Sequence, residues 1–154
     1  GVFVDAEPAE VARAIARLGL AAVQFHGAES PGRCAETPVP VIKAFRVGAE
    51  FDGDCVEHFQ ALVAAVLLDT YDPQRHGGTG KAFSWHHAAE LPGRAPLILA
   101  GGLTAENVGS AIEMVRPFAV DVSSGVESAP GVKDHDRIRT FFAAVREADA
   151  GRAS

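Results

Sequence analysis

The stretch Pro96–Thr104 reads Pro-Leu-Ile-Leu-Ala-Gly-Gly-Leu-Thr: an apolar run, two glycines, and a threonine of the kind that caps a helix. Short apolar runs bounded by turn residues recur along the chain, and such runs are typical of strands buried on both faces. Between them, apolar residues return at helical spacing, as in the segment 108–115. The predicted strands are Val2–Val4, Ala21–Phe25, Val39–Phe45, Val63–Leu68, Pro96–Ala100 and Phe118–Val122.

This alternation predicts an α/β protein in which helices cover a parallel sheet. Six units in 154 residues come to about 26 residues each, so a TIM (β/α)8 barrel would need roughly 50 more. We therefore expect residues 1–148 to form an incomplete TIM barrel with strands 3–8, followed by a flexible tail at 149–154. The chain begins inside an apolar run without methionine, so we expect two preceding βα units to be missing.

The composition argues against several classes of partner. The net charge is −6 and the basic residues are scattered, so a nucleic-acid surface is not expected. No apolar run approaches the roughly 18 residues of a membrane span. The two cysteines, Cys34 and Cys55, suit neither a disulfide framework nor a paired zinc site, and a reducing cytoplasm fits them best. We expect no metal and no cofactor.

Two glycine-bearing turns follow consecutive strands and predict a phosphate site. Gly101 and Gly102 let backbone N–H groups approach a ligand at the start of a helix. Ser123, Ser124 and Gly125 follow the next strand and add hydroxyl and amide donors. Each turn alone could be purely structural, but loops of this kind after the last two strands form the usual phosphate site of a barrel.

Other polar residues at strand ends are candidates for chemistry. Asp69 ends an apolar run, where a carboxyl beside apolar walls could act as a general acid, or could instead cap a helix. His26 and Asp121 also end strands and are possible substrate contacts. Gly78 and Gly80 belong to a glycine-rich stretch that could fold over a ligand.

Lys43 alternates with apolar residues inside a predicted buried strand. Such a lysine could form a Schiff base or bind an anion. We favour the alternative that its head reaches the end of the strand or pairs with a carboxylate.

Taken together, these motifs resemble the phosphoribosylanthranilate isomerase family. The similarity covers essentially the whole chain, and the strings are specific in combination because they occur in the family's order and spacing. They are Val23–Gly27, Leu67–Thr70, 77–80 with 83–85, Leu99–Thr104 with Asn107–Val108, and 120–127 with 131–134.

The resemblance implies an Amadori rearrangement without a cofactor. N-(5-phosphoribosyl)anthranilate becomes 1-(2-carboxyphenylamino)-1-deoxyribulose 5-phosphate in tryptophan biosynthesis. In the family's mechanism an aspartic acid protonates the furanose ring oxygen, and a cysteine thiolate then removes the C2′ proton. Asp69 matches the acid. The resemblance also implies a small-molecule phosphosugar as the partner and a monomer or homodimer when complete.

The family's cysteine ends its first strand and an arginine of its second unit meets the anthranilate carboxylate, and neither segment is matched here. Cys34 and Cys55 lie elsewhere, so we expect them to be ordinary small residues. The isolated chain is therefore expected to have negligible isomerase activity.

Two alternatives remain at this stage. Another phosphosugar barrel, such as an indole-glycerol-phosphate synthase, would have similar phosphate loops, although it requires a Lys and Glu pair at strand ends and Lys43 shows no such partner in the sequence. A non-catalytic phosphate-binding module is the other alternative.

Overall fold

The computed structural model describes residues 1–48, 51, 53–69, 85–89 and 95–152. Strands and helices alternate along the chain up to the sixth strand, and a hairpin and a long helix follow. The elements are β1 (Val2–Phe3), α1 (Pro8–Leu18), β2 (Val23–Phe25), α2 (Pro31–Ala35), β3 (Val41–Arg46), α3 (Asp54–Glu57), β4 (Ala65–Asp69), α4 (Trp85–Ala89), β5 (Leu97–Ala100), α5 (Val108–Val115), β6 (Ala119–Val120), β7 (Glu127–Ala129), β8 (Val132–Lys133) and α6 (His135–Arg152).

The first six strands form one parallel sheet in the order β1-β2-β3-β4-β5-β6. The predicted α/β class and parallel sheet are thereby confirmed. All six predicted strands are present, most of them shorter at their ends than the apolar runs. In the described part of the chain, β1 pairs with β2 alone and β6 with β5 alone.

The two faces of the sheet bury different side chains. Val66, Leu68 and Leu99 pack against residues of α5, so this face lies under the helices. Ala44, Leu67 and Ala100 form a small separate cluster on the other face, which contains no helix residue. Because side chains alternate along a strand, Asp69 shares the second face with Leu67, and Lys43 shares the helix-covered face with Val41.

Two local features differ from the sequence predictions. The helix after the Gly-Gly turn begins at Val108 with Asn107 in the cap position, one turn after Thr104, whose carbonyl accepts the Val108 N–H at 3.0 Å. Strands β7 and β8 form an antiparallel hairpin that was not predicted, since each is too short to show a period; its turn contains Gly131 at φ 76°.

Helix α6 continues to Arg152, into the segment 149–154 for which the sequence predicts a flexible tail. The physical reason lies in packing and composition. Ala148 is only 9% exposed and belongs to the main hydrophobic cluster, and the alanines around it favour helix. Within the described residues, none of the helices has the length and apolar character needed to cross a membrane.

Candidate active site

The turn after β5 has the backbone conformation that the Gly-Gly pair predicted. Gly101 and Gly102 have φ of 85° and 61°, in the left-handed region that glycine adopts without strain. The side chain of Asn107 closes this turn: its Nδ2 donates to the Gly102 carbonyl at 3.0 Å and its Oδ1 accepts the Thr104 N–H at 2.8 Å. Asn107 has no role of its own in the sequence predictions, although an asparagine at a helix start is typical of local hydrogen bonding by the side chain.

The loop after β6 packs directly on that turn. A Cβ built on Gly125 would overlap the Leu103 carbonyl oxygen and press on Val122. Only a glycine lets the two backbones approach this closely. The donors predicted from two separate stretches of sequence are therefore neighbours in space.

The two loops and the ends of the neighbouring strands enclose one cavity of about 240 Å³. It brings together eight of the predicted site residues. They are His26, Asp69, Gly101, Gly102, Asp121, Ser123, Ser124 and Gly125. Gly78 and Gly80 lie outside the described residues.

Strand register explains why Asp69 faces the loops after β5 and β6. Asp69 is the Cα partner of Ala100 on β5, so the Gly-Gly turn begins one residue beyond it. Its side chain lies 3.3 Å from the His26 ring, measured from Oδ2 to Nε2. The two side chains are 23% and 18% exposed, so a polar neighbour and partial access to solvent add to the apolar residues, such as Leu67 and Val122, that line the same cavity.

His26 is held on its other side by Gln24. The Nδ1 atom of His26 lies 3.4 Å from the Nε2 atom of Gln24. The two side chains lie on the same face of the sheet because the residues are two apart along the chain. The ring nitrogen that faces Asp69 is buried and lacks the alignment of a hydrogen bond to any described residue. The imidazole thus lies beside the carboxyl group without a well-aligned hydrogen bond to it.

Lys43 is paired with Glu29, as the favoured interpretation predicted. The Nζ to Oε2 distance is 3.1 Å, and the two residues are 2% and 8% exposed. The expectation that Lys43 lacks a glutamate near a strand end is wrong, since Glu29 lies four residues after β2. A buried lysine requires such a partner, which is the signal that could have identified Glu29.

The carboxyl of Glu29 remains ionised inside the protein. Burial by itself raises its pKa, but hydrogen bonds from backbone N–H groups, including that of Asp5, and the ammonium of Lys43 outweigh burial and hold the pKa below its usual value. The ionised carboxyl and the lysine head together form a buried ion pair.

The cysteines lie away from the cavity. Cys34 is 2% exposed in the cluster under α1 and α2, and burial raises the pKa of its thiol. Cys55 is exposed on α3. Among the described residues, no group of three or more metal-ligating side chains comes together.

Comparison with known proteins identifies the family. The family described as N-(5'phosphoribosyl)anthranilate (PRA) isomerase matches residues 1–144. A protein of Geobacter sulfurreducens named N-(5'-phosphoribosyl)anthranilate isomerase is 51% identical over 142 residues, which are 92% of this chain and 69% of the relative.

Solved structures agree. Phosphoribosyl anthranilate isomerase of Thermotoga maritima superposes with a TM-score of 0.83 at 43% identity, over 96% of this chain and 72% of that one. A phosphoribosyl anthranilate isomerase in complex with reduced 1-(o-carboxyphenylamino)-1-deoxyribulose 5-phosphate gives a TM-score of 0.77 at 38% identity, over 96% and 70%. Sequence and fold thus match over nearly all of the chain, and it belongs to the N-(5'-phosphoribosyl)anthranilate isomerase family.

Proposed function

We propose that the cavity between the loops after β5 and β6 binds the 5′-phosphate of N-(5'-phosphoribosyl)anthranilate. No lysine or arginine lines it in the part of the chain that the structure describes. Backbone N–H groups of Gly101, Gly102 and Gly125 and the hydroxyls of Ser123 and Ser124 are therefore the donors for the anion. The start of α5 adds the favourable end of a helix dipole.

Asp69 is the general acid in this proposal, and the observation that carries it is the cavity that Asp69 shares with the phosphate donors. A sugar whose phosphate occupies the loops presents its ring to the carboxyl. A proton passes from Asp69 to the furanose ring oxygen, the C1′–O bond breaks, and the nitrogen lone pair completes a Schiff base. His26 stands beside the carboxyl and can stabilise the carboxylate that this transfer leaves.

The second half of the rearrangement removes a proton from C2′. Cys34 is enclosed under helices and Cys55 lies on α3, so neither reaches a sugar in the cavity. Asp121 and His26 are the other titratable side chains that line it in the described ranges. We therefore expect the 154-residue polypeptide to open the ring but to complete the isomerisation negligibly.

We further infer that the six-stranded sheet corresponds to six of the eight strands of a (β/α)8 barrel. Six parallel strands joined by helices, with chemistry gathered at their carboxyl ends, are the features of that fold. The superposition on the Thermotoga maritima enzyme supports the inference. Strands β1–β6 would then be the third to eighth barrel strands.

Ligand binding and ring opening test the proposal separately. The chain is titrated with inorganic phosphate and with reduced 1-(o-carboxyphenylamino)-1-deoxyribulose 5-phosphate while the backbone amide resonances are followed by NMR. We expect shifts at Gly101, Gly102 and Ser124, weakened by Ser124→Ala and retained in Asp69→Asn. Ring opening of the substrate is followed by trapping the Schiff base with cyanoborohydride.

We expect trapping to be faster with the wild-type chain than with Asp69→Asn, because the amide has no proton of comparable acidity to give. Equal trapping by the two proteins would remove Asp69 from its role. Phosphate-induced shifts that avoid both loops would remove the phosphate site.

A further inference from the structure

A buried ion pair lies next to the proposed active site. Glu29 and Lys43 are the only charged residues in the buried class within the described ranges. Taking two charges out of water costs several kcal/mol per ion unless other hydrogen bonds satisfy them. The contacts of this pair are therefore expected to matter beyond the pair itself.

Those contacts join three neighbouring strands. Lys43 on β3 donates from Nζ to the Gly27 carbonyl at 2.7 Å and to the Ala44 carbonyl at 3.1 Å, and it lies 3.4 Å from the Phe25 carbonyl. Glu29 accepts the N–H groups of Asp5 and Gly27, each at 2.9 Å. The pair thus binds the chain after β1, the turn after β2 and the middle of β3.

The turn that the pair holds is the one that carries His26. Phe25 and Gly27, the residues on either side of it, both bond to the pair through their backbones. Gly27 also packs against Asp5 so closely that a Cβ would overlap its side chain. The pair therefore holds the backbone on both sides of His26 from the helix-covered face of the sheet. The ring points to the opposite face, toward Asp69.

We propose that the Lys43–Glu29 pair is a positioning device that holds the His26 imidazole against the Asp69 carboxyl. Neither charged side chain reacts with substrate; each acts through the turn between them. With the ring fixed, Oδ2 of the Asp69 carboxyl faces the imidazole. The inference rests on the proposed role of Asp69, since the histidine would otherwise have nothing to orient.

Simple stabilisation is a weaker account of the pair. Apolar residues of similar volume often replace a buried ion pair without loss of stability. They would, however, leave the N–H groups of Asp5 and Gly27 and the carbonyl of Gly27 without partners. What the charges supply is a defined geometry for this turn.

The test separates geometry from stability by removing both charges at once. In the double variant Lys43→Met with Glu29→Gln no buried charge is left alone, and the glutamine oxygen can still accept one backbone N–H. The readout is the ring ¹⁵N resonances of His26 at a fixed alkaline pH, which report the nitrogen that carries the proton. Resonances are assigned by comparison with His26→Asn.

In the wild-type chain we expect the proton mainly on Nε2, facing Asp69, with Nδ1 accepting from Gln24. In the folded double variant we expect the resonances to shift toward the average of the two tautomers. Wild-type resonances in a folded double variant would overturn the proposal. Should the double variant not fold, Lys43→Arg is read in the same way, because its planar fork cannot reproduce the contacts of the ammonium.

Arg33→Met is the matched control. Arg33 is a cation on α2 that stacks on the Phe25 ring at 5.4 Å, but no hydrogen bond from its side chain to the backbone of the His26 turn is seen among the described residues. We expect its removal to alter stability and leave the His26 resonances unchanged; a change as large as in the double variant would overturn the proposal. Phosphate titration of the same samples distinguishes the phosphate-site proposal from the positioning proposal. If phosphate shifts no amide resonance in the loops of the wild-type chain, the phosphate site is contradicted and the positioning role is not.

Discussion

Single residues decide how closely the loops after β5 and β6 approach one another. Gly125 is the clearest case, because its α-hydrogen occupies the space where a side chain would meet the Leu103 carbonyl. The positive φ values of Gly101 and Gly102 add a second restraint on the same turn. Sequence patterning identified Gly101 and Gly102 as candidates for close approach to a ligand, but the approach of Gly125 to the Leu103 carbonyl is known only from the structure.

We predict that Gly125→Ala lowers the free energy of unfolding by about 1–3 kcal/mol, since the new methyl group must push the loops apart. It should also weaken phosphate binding. Urea denaturation and phosphate titration measure the two effects. Gly109→Ala is the control: nothing lies near its Cβ in α5, so stability should be unchanged or higher by up to about 1 kcal/mol. Equal behaviour of the two variants would contradict the close approach.

At the scale of elements, the carboxyl ends of β1 and β2 are joined to β3 by the ionised side chain of Glu29. Its pKa lies below the ordinary value of 4.5, so its contribution to stability is fully present above about pH 4.5. That contribution is lost as the pH falls through the lowered folded-state pKa. Protonation then leaves Lys43 as a buried cation without its counterion.

We predict that the free energy of unfolding of the wild-type chain, minus that of the Lys43→Met and Glu29→Gln double variant, becomes smaller as the pH falls below about 4.5. Urea denaturation at a series of pH values measures this difference. Glu127 and Asp134 also have lowered pKa values, but both proteins contain them, so their contributions cancel. A difference that grows toward low pH would mean that the pKa of Glu29 is raised on folding.

The whole molecule has a sheet with two outer strands, and apolar side chains lie at both. Val2 on β1 is 65% exposed, and Phe118, directly before β6, is 77% exposed. In the described part of the chain each of these strands pairs on one side only. Strand edges with exposed apolar residues favour pairing with other chains.

We therefore predict that the 154-residue chain self-associates as its concentration rises, which sedimentation velocity measures. Phe118→Lys should shift association to higher concentration, because a charge at a sheet edge opposes pairing. Phe142→Lys provides the comparison, since Phe142 is 54% exposed and belongs to a helix, α6, and not to a strand of the sheet. A chain that stays monomeric at all concentrations, or an equal effect of the two variants, would be evidence against edge pairing.

The order of residue types along the chain was sufficient to predict the α/β class, the six strands and the loops at Gly101 and Ser124. Each of these features is encoded in a local hydrophobic period or a turn. The same local patterns did not predict the β7–β8 hairpin, whose strands are short, or the continuation of α6 to Arg152, where Ala148 packs into the main hydrophobic cluster.

Only the tertiary structure decided which distant residues meet. Parallel register placed Asp69 beside the Gly-Gly turn, and the approach of the β2 turn to β4 placed His26 against Asp69. Glu29 became the partner of Lys43 by the same route. The physical reason is that hydrophobic periodicity specifies which face of an element is buried, whereas contacts between faces depend on how the strands align across the sheet.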